Sequence, residues 1–265
     1  MSLDFRAQLE HQSQLFRTAI EASEPSARVP TCPDWNADDL LAHLTEVQWF
    51  WSTVLATPVR HASQLAEIER PERADGRDAL LSAFDDAHAK LCDALGSTDV
   101  GAARWMWTRD PGLHTAGYIA RRQAHEALIH RVDAELTIAQ PISHIDPVLA
   151  ADGVDEILRV MLGGHPEWTT FAAQDGIVRF EAVDTGDNWT VHLGRLAGTH
   201  PESGETVDET SMLPIDSGEP IATISGRAWE LDLWLWNRGD FDMLERSGDT
   251  VALQHVVDAL AEGLN

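Results

Sequence analysis

The segment "RRQAHEALIHRVDAE", residues 121 to 135, carries two histidines and three acids on one predicted helix. His125 and Glu126 look like the start of the zinc-protease signature H-E-x-x-H, but the next histidine is His130, one residue too late. Because an α-helix turns by about 100° per residue, His125 and His130 point about 140° apart and cannot share a metal ion. Glu126 and His130 differ by about 40° and lie one turn apart on the same side. The usable motif is therefore E-x-x-x-H.

A third candidate, His43, comes from an earlier predicted helix. The apolar stripe of that helix, in "DDLLAHLTEVQWF", consists of Leu40, Leu44, Val47 and Trp51. His43 falls inside this stripe, which predicts an imidazole that faces the interior of a helical bundle. Two histidines and one carboxylate form the ligand set of catalytic zinc sites, with one position left for water or substrate. We therefore predict a metal site at His43, Glu126 and His130, with Zn²⁺ as the expected ion.

Each member of this trio also has a structural alternative. Glu126 and His130 could be a surface pair four residues apart, and His43 could be a core imidazole bonded to a backbone or carboxylate group. The same ligand set suits other divalent ions. We expect the remaining histidines to lie on polar faces, in turns or in the second half, with His125 capping a neighbouring contact or solvated, and exclude them from the site. They are His11, His61, His88, His114, His125, His144, His165, His192, His200 and His255.

Four predicted helices position the trio. Apolar periodicity predicts helices within residues 4–23, 36–56, 78–96 and 115–138, separated by proline-rich or polar segments. Asn36 is a favourable N-cap for the second helix, and Gly96 is a typical stop for the third. Helices of this length and number predict a four-helix bundle, with His43 on the second helix and the E-x-x-x-H pair on the fourth.

The pattern changes near residue 145. Residues 146–164 predict one more helix, and "GIVRFEAVDTGDNWTVHLGRL" shows strand alternation on both sides of a turn, which predicts a hairpin. A turn-rich stretch at 198–220 precedes a short strand, "PIATISG", and two further helices. We therefore predict an α+β protein with two domains, a four-helix bundle at 1–145 and a small α+β domain at 146–265.

Composition excludes several classes of function. The chain has 19 Lys and Arg residues against 44 Asp and Glu residues, a net charge of −25, so nucleic acids and anionic membrane surfaces are disfavoured partners. Cys32 and Cys92 lie 60 positions apart, which excludes a thiolate zinc site and argues against a disulfide framework. The first twenty residues carry charges throughout, so we expect no signal peptide and a cytoplasmic protein.

The segments "VPTCPDWNADDLLAHLTEVQWFW" (29–51) and "RRQAHEALIHRVDAE" (121–135) resemble the mycothiol-dependent maleylpyruvate isomerase family. The segments "LAADGVDEILRVML", "WTVHLG" and "ATISGRAWELDLWLWNRGD" resemble that family's C-terminal domain. The resemblance covers most of the chain in the right order. It implies an N-terminal four-helix domain of the DinB-like type and zinc ligands at His43, Glu126 and His130.

The resemblance also implies a chemistry. The partners would be a small-molecule thiol, mycothiol, and a small electrophile, in a monomer or homodimer. Asp133, one turn beyond His130, would orient a ligand, and Arg238 of the C-terminal domain, or failing it Arg227, would hold substrate carboxylates. The reaction would be cis-trans isomerisation of a maleylpyruvate-like substrate or thiol S-transfer to an electrophile. The net charge of −25 suits a dianionic substrate poorly unless residues such as Arg121, Arg122 and Arg238 reverse the local field.

Two other readings of the same residues remain open. One is a metal- or thiol-binding sensor or scaffold that performs no turnover, and the other is a structural helical domain in which the trio is a coincidence. The first predicts metal without thiol consumption, and the second predicts no bound metal.

Overall fold

The computed structural model describes residues 3–57 and 59–262, and the chain divides into two compact units between His144 and Ile145. The N-terminal unit is helical and the C-terminal unit contains the sheet, so the predicted α+β fold class is confirmed. Among the described residues, no helix has both the length and the apolar character needed to cross a membrane.

Four long helices build the N-terminal unit, as predicted: α1 (Phe5–Glu21), α2 (Ala37–Ala56), α3 (Arg77–Ser97) and α4 (Ala116–Thr137). Helix α1 packs along α4, and α2 packs along α3. Local sequence sets the starts of the two helices that carry the trio. Asn36 forms a reciprocal capping box with Asp39 at α2, and the Thr115 side chain accepts from the Tyr118 amide at α4. The capped ends fix the register of both helices.

The apolar core of this unit fixes the rotation of α2. Leu40, Leu41 and Leu44 have no exposed surface and belong to one cluster with Phe16 and Phe84, whose rings lie 5.2 Å apart. Because these leucines occupy the core side of α2, His43 is carried to the edge of the core. The core therefore decides where the candidate ligand stands.

The C-terminal unit begins with α5 (Pro147–Glu156), which continues as a π-helical turn at Ile157–Met161. A five-stranded sheet follows, in the order β3-β2-β1-β4-β5. Its strands are β1 (Thr169–Ala182), β2 (Asn188–Thr199), β3 (Thr206–Ile215), β4 (Ala222–Gly226) and β5 (Glu245–Gly248). Strands β1 and β4 are parallel and the other neighbours are antiparallel. Helices α6 (Ala228–Leu235) and α7 (Thr250–Ala261) complete the unit.

The turn-rich interpretation of residues 198–220 is wrong over half of its length, because β3 occupies Thr206–Ile215. This strand lies at the edge of the sheet and is mostly half-exposed, so its sequence lacks the clear apolar alternation of a covered strand. Pro214 sits within it, which an edge strand tolerates because one side needs no ladder donor. The strand was therefore not predicted, because an edge strand lacks the apolar alternation on which the prediction depends.

Candidate metal centre

Side chains from two helices converge at the predicted site. Oε1 of Glu126 lies 3.4 Å from Nε2 of His43 and 3.2 Å from Nε2 of His130, and one ligand atom from each residue lies within 4.8 Å of the others. Ligand atoms at the corners of a tetrahedral zinc site with bonds of about 2.0–2.2 Å are about 3.4 Å apart. Among the described residues, this is the one cluster of three metal-ligating side chains with such spacing. The donor types and the spacing both fit a divalent ion.

His43 stands at the rim of the bundle rather than in its interior. Its side chain is 35% exposed, against 22% for Glu126 and 9% for His130. The prediction that His43 faces the interior is therefore only partly correct, because the leucines on either side of it fill the core. Its ring packs against Trp35, with ring centroids 4.7 Å apart. The half-exposed imidazole leaves one side of the centre open to small molecules.

Asp133 holds the imidazole of His130 in place. Its Oδ2 lies 2.9 Å from Nδ1 of His130, while its Oδ1 accepts a hydrogen bond from the Thr31 hydroxyl. Because Nδ1 is engaged with a fully buried carboxylate, Nε2 is the nitrogen turned toward the centre. The contact expected of Asp133 from the family resemblance is thus present in the structure, and Thr31, which lies about a hundred residues away in sequence, could not be paired with it by spacing.

Arg122 fixes the orientation of Glu126. Its buried guanidinium lies 3.0 Å from Oε2 of Glu126, one turn back along α4, which leaves Oε1 to face the two histidines. Burial alone would raise the pKa of Glu126, but hydrogen bonds from His130 and His43 and the charge of Arg122 hold this pKa well below its usual range. The carboxylate is therefore ionised and available as a ligand. Sequence reasoning named Arg122 for field effects only, although its spacing of four residues from Glu126 is the signal for this contact.

The electrostatics of the centre favour a cation. Burial lowers the pKa of His130, but hydrogen bonds to Asp133 and Glu126 outweigh burial and raise this pKa to about 9. Without an ion, a proton on His130 balances the two carboxylates that flank it. A divalent cation bound at Nε2 of His130 would replace this proton, because the positive charge of the cation would also lie beside the Glu126 carboxylate.

His125 lies away from the centre, but it is not solvated. It is 1% exposed and meets the ring of Phe5 edge-on, with centroids 6.2 Å apart. Of the two alternatives for His125, a neighbouring contact or solvation, solvation is wrong, because α1 covers this side of α4. Its exclusion from the trio agrees with the geometry, since the metal-ligating cluster does not include it.

Arg238 and Arg227 belong to the C-terminal unit. Arg238 follows α6, beyond the left-handed Asn237, and its Nη1 donates to the Trp236 carbonyl at 2.7 Å. Arg227 immediately precedes α6. A cation after a helix C-terminus is also favourable for the helix dipole alone. The predicted role of Arg238 at the centre therefore stays a prediction.

The fold and this cluster define a class of protein with a helical bundle bearing a His-Glu-His site, followed by an α+β domain. Comparison with known families places the chain more narrowly. Residues 6–135 match the family model "Mycothiol maleylpyruvate isomerase N-terminal domain", and residues 148–255 match the C-terminal domain model of the same family. The chain belongs to the mycothiol-dependent maleylpyruvate isomerase family.

Two solved structures share this fold. One is a crystal structure of the mycothiol-dependent maleylpyruvate isomerase, with a TM-score of 0.58 and 14% identity. The other is a histidine-to-alanine mutant of the mycothiol-dependent maleylpyruvate isomerase, with a TM-score of 0.59 and 15% identity. Each alignment covers 93% of this chain and 93% of the other. No curated protein matches the chain.

Replacing Glu126 with Ala should abolish stoichiometric zinc binding, because the carboxylate oxygen lies between both imidazoles. Elemental analysis of the purified protein measures the zinc content. His11→Ala, a change at an exposed position of α1, is the matched control and should keep full occupancy. His125→Ala should also keep the ion while losing about 1–3 kcal/mol of unfolding free energy, because it empties a buried position. Unchanged zinc in Glu126→Ala would show that the ligand set is wrong.

Replacing Asp133 with Asn should weaken zinc binding by about 10- to 100-fold, since the neutral amide orients His130 less firmly and no longer supports its basicity. Competition with a chromogenic chelator measures the dissociation constant. Thr31→Val removes only the outer hydrogen bond to Asp133 and should have a smaller effect. Equal affinity in wild type and Asp133→Asn would mean that this contact does not support the centre.

Cys92 should be an unreactive thiol that does not compete with an added thiol. Burial and the charge of Glu10 raise the pKa of Cys92 to about 11. At pH 8 only about one Cys92 in a thousand is then a thiolate, against about one in four for an unperturbed cysteine. In a Cys32→Ser variant, iodoacetamide labelling followed by mass spectrometry should be slow at pH 8 and accelerate as pH rises toward 11. Labelling at pH 8 as fast as in urea would contradict this.

Proposed function

We propose that this protein is a metal-dependent enzyme that uses a low-molecular-weight thiol, mycothiol, to isomerise a maleylpyruvate-like substrate or to conjugate an electrophile. The observation that carries the proposal is the meeting of His43 and His130 on one oxygen of Glu126 at an open rim. Zn²⁺ is the ion that we expect, because two imidazoles and a carboxylate leave one coordination position free. Membership of a family named for mycothiol supports the choice of thiol.

A bound divalent ion would ionise a coordinated thiol, and the thiolate is the nucleophilic form. The protein contributes the position of this chemistry. Asp133 keeps Nε2 of His130 facing the centre, and Arg122 keeps Oε1 of Glu126 toward the histidines. No cysteine belongs to the cluster, so the reacting sulfur would come from the added thiol.

In both candidate reactions every bond that forms or breaks can be accounted for with the thiol and the substrate alone. In isomerisation, the thiolate sulfur would add to one carbon of the cis double bond while the displaced electron pair moves to the neighbouring carbon and its conjugated carbonyl. The remaining single bond rotates, and return of this electron pair expels the same thiolate and leaves a trans double bond. In conjugation, a carbon–sulfur bond replaces the bond to a leaving group, or the sulfur adds and a proton completes the neighbouring carbon. In both reactions the ion would be held by the N-terminal unit, through His43, Glu126 and His130.

The test is thiol consumption by zinc-loaded protein with mycothiol and a panel containing maleylpyruvate, an epoxide and an activated haloaromatic. We expect turnover of at least one acceptor, measured by loss of free thiol or by formation of fumarylpyruvate. Glu126→Gln should be inactive because it lacks the anionic ligand, while His11→Ala should match wild type. Full zinc occupancy without turnover of any acceptor would instead favour the sensor or scaffold reading.

A further inference from the structure

A cavity of about 670 Å³ lies between α2, α3 and residues 71–74 of the connection between them, and His43 forms part of its wall. This volume falls within the range of about 300–1,000 Å³ that is usual for small-molecule sites. Of the three candidate ligands His43 alone lines the cavity, so the cavity adjoins the candidate metal centre at this residue. A molecule bound here would present one end to a group held at the centre.

The walls of the cavity are largely aromatic and aliphatic. Trp35 stands beside His43, and Trp49 lies further along the same face of α2, while Leu80, Ala83 and Ala87 line the side formed by α3. Neither tryptophan is fully buried, so both rings offer surface to a ligand. Aromatic surfaces of this kind favour apolar or aromatic molecules.

The charges around the cavity disfavour anions. Four carboxylates line it, from Asp39, Glu46, Glu72 and Asp86, against the two cations Arg73 and Lys90, a formal net charge of −2. Two of the carboxylates are paired at the rim. Asp39 binds Arg73 at 2.8 Å and Glu46 binds Arg70 at 2.6 Å, and these ion pairs hold residues 70–73 against α2. Glu72 and Asp86 add negative charge that a dicarboxylate entering the cavity would meet.

We propose that this cavity binds the electrophilic substrate, and that this substrate is an uncharged or cationic molecule with an apolar or aromatic body, not a dicarboxylate. The proposal rests on the proposed function and favours its conjugation branch. An α,β-unsaturated ketone illustrates the step. The thiol sulfur bonds to the β-carbon, the electron pair of the double bond moves to the α-carbon, and the proton lost by the thiol ends on that carbon.

Binding without thiol tests the pocket separately from turnover. The probes are 4-phenyl-3-buten-2-one, which is neutral and aromatic, and its para-carboxylate analogue, measured by isothermal titration calorimetry on metal-free protein, because an ion bound at His43 would itself attract a carboxylate. Wild type should bind the neutral probe about tenfold more tightly than the carboxylate, as expected for an anion facing two net negative charges at close range. Trp49→Ala should weaken binding of the neutral probe about fivefold or more by removing an aromatic wall.

Charge reversal provides the decisive comparison. The double variant Glu72→Lys with Asp86→Lys should remove the preference for the neutral probe or invert it. Asp93→Lys changes an exposed carboxylate on the same helix that does not line the cavity, and it should leave the preference unchanged. Tighter binding of the carboxylate by wild type, or an unchanged dissociation constant in Trp49→Ala, would overturn the assignment of the pocket.

The two proposals fail in different ways. If the binding preferences hold and zinc-loaded protein with mycothiol consumes no electrophile, the pocket assignment stands and the proposed enzyme does not. If thiol is consumed but neither Trp49→Ala nor the double variant Glu72→Lys with Asp86→Lys alters probe binding, the proposed enzyme activity is supported and the assignment of the pocket is wrong.

Discussion

The structure of the candidate site depends on one ionised carboxylate shared between two imidazoles at the edge of a helical bundle. Glu126 accepts from His43 and His130 through one oxygen and from Arg122 through the other. A carboxylate in such a place is costly unless every charge around it is matched. With Asp133 on the far side of His130, two acids flank one imidazole, and a proton or a metal cation at this imidazole adds to the positive charge that Arg122 already supplies. The need for positive charge at this point explains the composition of the whole cluster.

The bundle supplies the rigidity that such a cluster requires. Leu40 and Leu44 are completely buried, so α2 cannot rotate without exposing core, and His43 is held at the rim between them. On α4, Arg122, Glu126 and His130 follow one another at intervals of four residues. This one helix therefore carries two of the three candidate ligands and the arginine that orients the Glu126 carboxylate. Fixing α2 against α4 is then enough to assemble the centre, which is why the ligands need no dedicated loop.

The acidic character of the chain has a local counterpart beside the centre. A net charge of −25 is spread over the molecule, but the cavity next to His43 combines excess carboxylates with two tryptophans. The same walls that would attract an apolar body repel a dianion. In the function that we propose, the metal centre that would activate a thiol and the pocket that would select its acceptor are different parts of one unit.

Local periodicity in the sequence predicted the long helices and the relative angles of the side chains along them. The helical repeat separated Glu126 and His130 from His125, the apolar stripe of α2 located His43, and caps such as Asn36 marked the helix ends. The helical half and the α+β half also followed from the change in pattern near residue 145. The strand at Thr206–Ile215 was not predicted, because an edge strand is covered on one side only and its sequence shows little apolar alternation.

Only the tertiary structure decided which side chains meet across elements. It placed His43 at the rim, buried His125 against Phe5 and joined Thr31 to Asp133 across the bundle. It also formed a cavity from residues of α2, α3 and their connection. Spacing along a helix specifies an angle about its own axis, and this angle follows from the chain alone. The neighbour found at that angle depends on how helices pack, which is determined by the whole core at once.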